Sequence, residues 1–151
     1  MARIELVTLI KAPPAACYAL AVNVQAHVDS TQQTEERVVS GPASGLLQLG
    51  DEVTWEARHL GVRQRLTVRI TQAAPPHHFC DELVKGAFRT LRHDHYFESV
   101  PGGTRMRDVF EFSSPAGIVG RLFERLFLTR YLTNFLRTRN AALKQQLERR
   151  A

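Results

Sequence analysis

With 151 residues, 44% of them hydrophobic and 23% charged, the chain has the length and composition of one soluble globular domain, residues 1–151, with enough apolar side chains for a sizeable core. No apolar run approaches the ~20 residues of a bilayer span, Glu5 interrupts an N-terminus that has no signal-peptide layout, and two cysteines without metal or redox spacing read as reduced thiols of a cytoplasmic protein. The formal charge of +5 comes mostly from scattered arginines, with no run of five like charges, which is a solvated basic surface and not a nucleic-acid footprint.

Arg3–Lys11, rich in Ile, Leu and Val, reads as a strand that Pro13-Pro14 ends. Proline suits a first helical turn, so Ala15–Val24 reads as a short helix with Cys17, Leu20, Ala21 and Val24 as its buried stripe. Gln25–Ser30, which carries His27, is a second short helical turn. Thr34–Ser40 is a short strand, and Gly41–Gly50 is a loop punctuated by Gly and Pro. Glu52–His59 and Val62–Ala73 alternate as two strands about a turn at Leu60-Gly61. That turn pairs Trp55 with Leu66 and Val53 with Val68 on one face. His77–Lys85 is a further strand of ambiguous phase, because Phe79 and Leu83 argue for one face and Cys80 and Val84 for the other.

Phe88 to Phe112 reads as two long strands joined at Pro101-Gly102-Gly103. Leu91, His93, His95 and Phe97 share a face of the first arm, and Met106, Asp108, Phe110 and Phe112 share a face of the second. Two histidines and an aspartate therefore interrupt an apolar inner face. A turn at Val100–Gly103 sets His95 opposite Asp108; a tighter one at Gly102-Gly103 sets it diagonal. Either way the groups lie within about 4.5–8 Å at Cβ. A buried charge without a partner costs several kcal/mol, so this face is either a core with one satisfied polar cluster or the wall of a ligand pocket. Ser113-Ser114-Pro115 stops the sheet. From about Ile118 to Arg149 the pattern is helical, with Leu122, Leu126, Leu132, Phe135, Leu136, Leu143 and Leu147 as the apolar stripe and a bend or break expected near Phe127–Arg130. A helix of roughly 30 residues is about 45 Å long, enough to cross a sheet.

Together these elements make an α+β chain, in which a curved antiparallel meander of about seven strands, with two short helices after the first, wraps one long C-terminal helix. The chain resembles the START-like, or SRPBCC, superfamily with the helix-grip fold, and within it the polyketide cyclase/dehydrase-like ligand-binding proteins. The resemblance covers nearly all of the chain. It rests on Ala12-Pro13, GDEVTWEARHLGV at Gly50–Val62, FCDELVKGAF at Phe79–Phe88, the alternation of His93, His95 and Phe97, and GGTRMRD ending at Asp108. Relatives often carry Pro where Ala87 stands and an aromatic where Leu91 stands. The resemblance implies a hydrophobic pocket between sheet and C-terminal helix, used for binding or carrying apolar molecules in many members and for cyclisation or dehydration in some.

Three functions fit these residues. The first is binding a lipid, polyketide or quinone-like molecule without a cofactor, with His93, His95 and Asp108 as polar anchors. Trp55, His59, Leu66, Leu91, Phe97, Met106, Phe110, Tyr131 and Phe135 would complete the lining. The second is a cyclase or dehydratase using His95 and Asp108 as an acid–base pair, with His93 beside them. The third is an interaction domain with a filled core. His93-X-His95 could chelate a metal, but zinc needs three or four converging ligands; His59 and Cys80 are the only further candidates, and His59 lies several strands away, so no metal is expected. Arg121, Arg125, Arg130, Arg137 and Arg139 read as a solvated helix face, with weak contact to an anionic membrane surface as the rival reading. A monomer or a homodimer fits equally.

Overall fold

A computed structural model describes residues 1–150. Strand β1 (Ala2–Ile10) leads into helices α1 (Pro14–Ala21) and α2 (Val24–Ser30) and a single 3-10 turn at Gln32–Thr34. Strands β2 (Arg37–Ser40), β3 (Glu52–His59), β4 (Val62–Ala74), β5 (His78–Lys85), β6 (Thr90–Val100) and β7 (Gly103–Ser113) follow. The chain ends in α3 (Gly117–Phe123), a π turn at Glu124–Leu128, and α4 (Thr129–Arg150). The seven strands form one antiparallel sheet in the order β1-β7-β6-β5-β4-β3-β2, so only β1 leaves its sequence neighbours to close the far edge. This is the helix-grip arrangement expected of the sequence.

Turn chemistry fixes the registers. Pro101 and the left-handed Gly102 (φ 85°) close the β6–β7 hairpin, which sets His95 opposite Asp108 and Phe97 opposite Met106. Leu60 and Gly61, both at positive φ, make the two-residue turn that pairs Trp55 with Leu66 and Val53 with Val68. A bulge between Ile70 and Gln72 shifts β4 by one residue against β5. Ile70 and Val68 then face Asp81 and Leu83, which puts Phe79, Asp81 and Leu83 on the inner face. The phase of β5 reads as ambiguous because an acid, Asp81, stands on its inner face while Cys80 is buried on the outer one. Cys80 points to the outer face yet is buried, beside an ion cluster in which the Asp94 carboxylate accepts from His78 and Arg92.

The predicted strand at Thr34–Ser40 begins only at Arg37. The break expected near Phe127–Arg130 is a π turn, which rotates α4 relative to α3 without interrupting the helix. Leu122 and Leu126, expected in the buried stripe, point to solvent. Two apolar clusters fill the grip. Tyr18, Phe79, Phe97, Met106, Leu143 and Leu147 belong to the one under the C-terminal half of α4. Trp55, Leu91, Phe110, Leu132 and Leu136 belong to the other, under its N-terminal half. Lys144, bonded to the Leu9 carbonyl, and Glu148, bonded to the Lys11 amide, pin the end of α4 to β1.

Candidate functional site

Between sheet and helix lies a cavity of about 520 Å³, so the interior is not the filled core of a pure interaction domain. Trp55, His59, Leu66, Leu91, His93, His95, Phe110, Tyr131 and Phe135 line it. Phe97 and Met106 do not; they lie in the solid cluster beyond. Asp108 also stays out of the lining, entirely buried behind the two histidines.

The cavity floor is polar and is built from three elements at matching depth. On β6, His93 and His95 stand between Leu91 and Phe97. On β7, Asp108 stands between Met106 and Phe110. On α4, Arg139 and Asn140 occupy the helical step between Leu136 and Leu143. Asp108 Oδ1 accepts from His93 Nε2 at 2.8 Å and from Arg139 Nη2 at 2.9 Å. Its Oδ2 accepts from Asn140 Nδ2 at 2.7 Å. His95 bridges two carboxylates: Nε2 lies 2.9 Å from Asp81 Oδ1, and Nδ1 lies 3.4 Å from Asp108 Oδ1. The His93 and His95 rings stack at 3.7 Å, and Phe79 stacks on the other face of His95 at 4.0 Å. Arg139 is thus no member of a solvated face; it is 7% exposed and paired with Asp108.

These contacts set the charges. Burial alone would raise the Asp108 carboxyl, but the Arg139 guanidinium and the two imidazoles outweigh it and hold the group well below the usual carboxylate range. Burial and the neighbouring His95 push His93 down to about 4, so it is neutral and donates from Nε2. Burial opposes charge on His95 too, but its two carboxylate partners win and raise it. Asp81 is lowered, burial being outweighed by His95.

A second polar group lies across the cavity. His27 stacks on Trp55 at 3.9 Å and donates from Nε2 to Glu36 Oε1 at 2.8 Å. Burial opposes the Glu36 charge, yet His27 holds its carboxyl below the ordinary value. His59 Nδ1 shares a 2.8 Å hydrogen bond with the Tyr131 hydroxyl, and burial keeps this imidazole neutral.

Sequence reasoning missed Asp81, Glu36, Arg139 and Asn140. The last two had a signal: they fall on the apolar stripe that runs Leu132, Leu136, Leu143, Leu147. Asp81, His93 and His95 each offer a donor atom within 4.8 Å of the others, and so form the one metal-like trio among the described residues. Asp81 and His95 are already hydrogen-bonded to each other and His93 to Asp108, and the Arg139 cation sits beside them, so a dication would have to displace these bonds and face a like charge.

The model of the family described as polyketide cyclase/dehydrase and lipid transport matches residues 1–148. The chain belongs to that family. Solved structures agree on the fold. A Thermus thermophilus protein superposes with a TM-score of 0.79 at 17% identity, over 97% of this chain and 97% of that one. A START superfamily protein from Mycobacterium smegmatis gives 0.74 at 9% identity over 99% of each chain. The ginseng major latex-like protein 151 from Panax ginseng gives 0.72 at 14% over 97% of each. No curated protein matches the sequence. Within the family, this member sets a charged floor of Asp81, His93, His95, Asp108 and Arg139 beneath an apolar cavity.

Proposed function

We propose that this family member binds and carries a hydrophobic small molecule in the cavity under α4. One observation carries the reading: about 520 Å³ of mostly apolar cavity with a few convergent polar groups, within the ~300–1,000 Å³ of small-molecule sites. The test is native mass spectrometry of the purified protein, followed by denaturing extraction. A co-purifying lipid, polyketide or quinone-like molecule is the expected result. An apo mass, together with no displacement of a neutral apolar fluorophore by any lipid, polyketide or quinone, overturns the proposal.

The rim favours loading from an anionic lipid surface. Ile118, Val119, Leu122, Phe123, Leu126 and Phe127 are exposed along α3 and the π turn, Ile118 at 81% and Phe127 at 63%. Val119 and Phe123 also line the cavity mouth. Arg121, Arg125 and Arg130 are exposed on the same segment, so apolar insertion and positive charge coincide. Sedimentation with phosphatidylserine-containing vesicles should be lost in Ile118→Glu/Phe127→Glu; self-association of the wild type without vesicles would instead assign the face to a second copy.

Catalysis is the second reading, favoured by the position of His95 on the cavity floor between the carboxylates of Asp81 and Asp108, an acid–base cluster that lines the ligand space. It predicts that His95→Ala loses dehydration of a substrate it still binds; full turnover in that variant refutes it.

A further inference from the structure

We propose that Arg139 Nη1 is the group that orients the ligand, and that the ligand end it meets is a neutral carbonyl oxygen, as in a ketone or quinone, rather than a carboxylate. This rests on the carrier reading and names the ligand class for the same cavity.

Arg139 is more than nine-tenths buried and lines the cavity. Its Nη2 donates to Asp108 and Asn140, and its Nε donates to Asn140. Its Nη1 donates to no protein atom among the described residues. Across the cavity the charged group is paired: His27 Nε2 and Thr34 serve the Glu36 carboxylate, and His59 Nδ1 shares a hydrogen bond with the Tyr131 hydroxyl. Arg139 therefore holds a spare cationic donor at the floor of an apolar cavity; the one fully enclosed side-chain N or O without a partner among the described residues is Thr71 Oγ1, so Nη1 is left accessible to a ligand acceptor.

The charge of the floor selects the acceptor. The titratable groups facing Arg139 are Asp81 on β5, His93 and His95 on β6, and Asp108 on β7. His95 Nε2 is hydrogen-bonded to Asp81 and its Nδ1 lies 3.4 Å from Asp108 Oδ1, so two carboxylates favour the charged form of the ring. Asp81 and Asp108 are thus balanced by His95 and Arg139, with His93 neutral. A carboxylate would add a third buried anion with no spare cation. A carbonyl oxygen accepts from Nη1 and leaves the balance intact.

The experiment uses displacement of a neutral apolar fluorophore from the full chain at pH 7. The competitors share one skeleton: a hexyl-naphthalene, the corresponding hexanoyl-naphthalene and a naphthyl-hexanoate. The ketone should bind about tenfold tighter than the hydrocarbon, the value of a hydrogen bond to a charged donor, and tighter than the acid. Arg139→Lys keeps the charge opposite Asp108 but loses the forked donor. It should erase the ketone's advantage over the hydrocarbon, both measured on that same variant. Equal binding of ketone and hydrocarbon by the wild type, tighter binding of the acid, or a ketone advantage that survives in Arg139→Lys overturns the inference while the carrier reading stands. No binding of any competitor overturns the carrier reading itself. The wild-type comparison does not depend on the variant's folding.

Discussion

Removing the Asp108 carboxylate should cost a large share of the protein's stability. The side chain is 0% exposed and accepts from His93, Arg139 and Asn140. Asp108→Ala leaves the Arg139 guanidinium buried with only Asn140 as a partner. Breaking a buried ion pair by deleting one member costs about 3–5 kcal/mol, against a total stability of about 5–15 kcal/mol for a domain. With a urea slope of about 2 kcal/mol/M, the unfolding midpoint should fall by roughly 2 M. The companion variant Asp108→Leu/Arg139→Met removes both charges and should recover to within about 1 kcal/mol of wild type. Chemical denaturation followed by Trp55 fluorescence reads both variants. An Asp108→Ala midpoint within about 0.5 M of wild type, or a double variant as damaged as the single, would refute the claim that charge pairing holds the cavity floor.

The same floor predicts opposite pH effects for its two histidines. The pKa of His95 is raised in the folded state, so its pairing stabilises fully below the unfolded value of 6.5 and is lost as pH rises through the folded one. The stability gap between wild type and His95→Gln should therefore be larger at pH 6 than at pH 9. His93, held near 4, works the other way: between pH 6.5 and 4 the unfolded chain takes up a proton that the folded one refuses. His93→Gln should flatten the acid loss of stability in that window. Leu132→Trp, on the cavity wall of α4, should abolish apolar-probe binding at a stability cost of about 1–3 kcal/mol; undiminished binding would place the ligand elsewhere. At Gly120 an added Cβ would sit 2.0 Å from the Pro115 carbonyl oxygen. Gly120→Ala should thus push α3 off the cavity mouth, read as faster ligand release in stopped-flow.

The sequence by itself determined the strands, the inner faces of all but β5, and the register of the Leu60-Gly61 hairpin; it left two registers open for the hairpin at Pro101-Gly102-Gly103, of which the structure has the one with His95 opposite Asp108. Period-two alternation and the turn residues Pro101-Gly102 and Leu60-Gly61 are local signals, and the sheet obeys them. It also marked His93, His95 and Asp108 as an anomaly, because polar groups on an apolar face stand out by pattern alone. The partners were another matter. A lone acid such as Asp81 reads as surface until the pairing of β5 with β6 sets it opposite His93 on the inner face. Arg139 reads as solvated until α4 is laid across the sheet at the depth of Asp108. The exposure of Leu122 and Leu126 follows from the π turn, which rotates the first helical turns away from the grip. Periodicity reports which face of an element is apolar, whereas cavity, charge balance and exposed rim depend on how deeply α4 is seated and how far it is rotated. Only contacts between residues far apart in the chain, such as Asp108 with Arg139, set those two quantities.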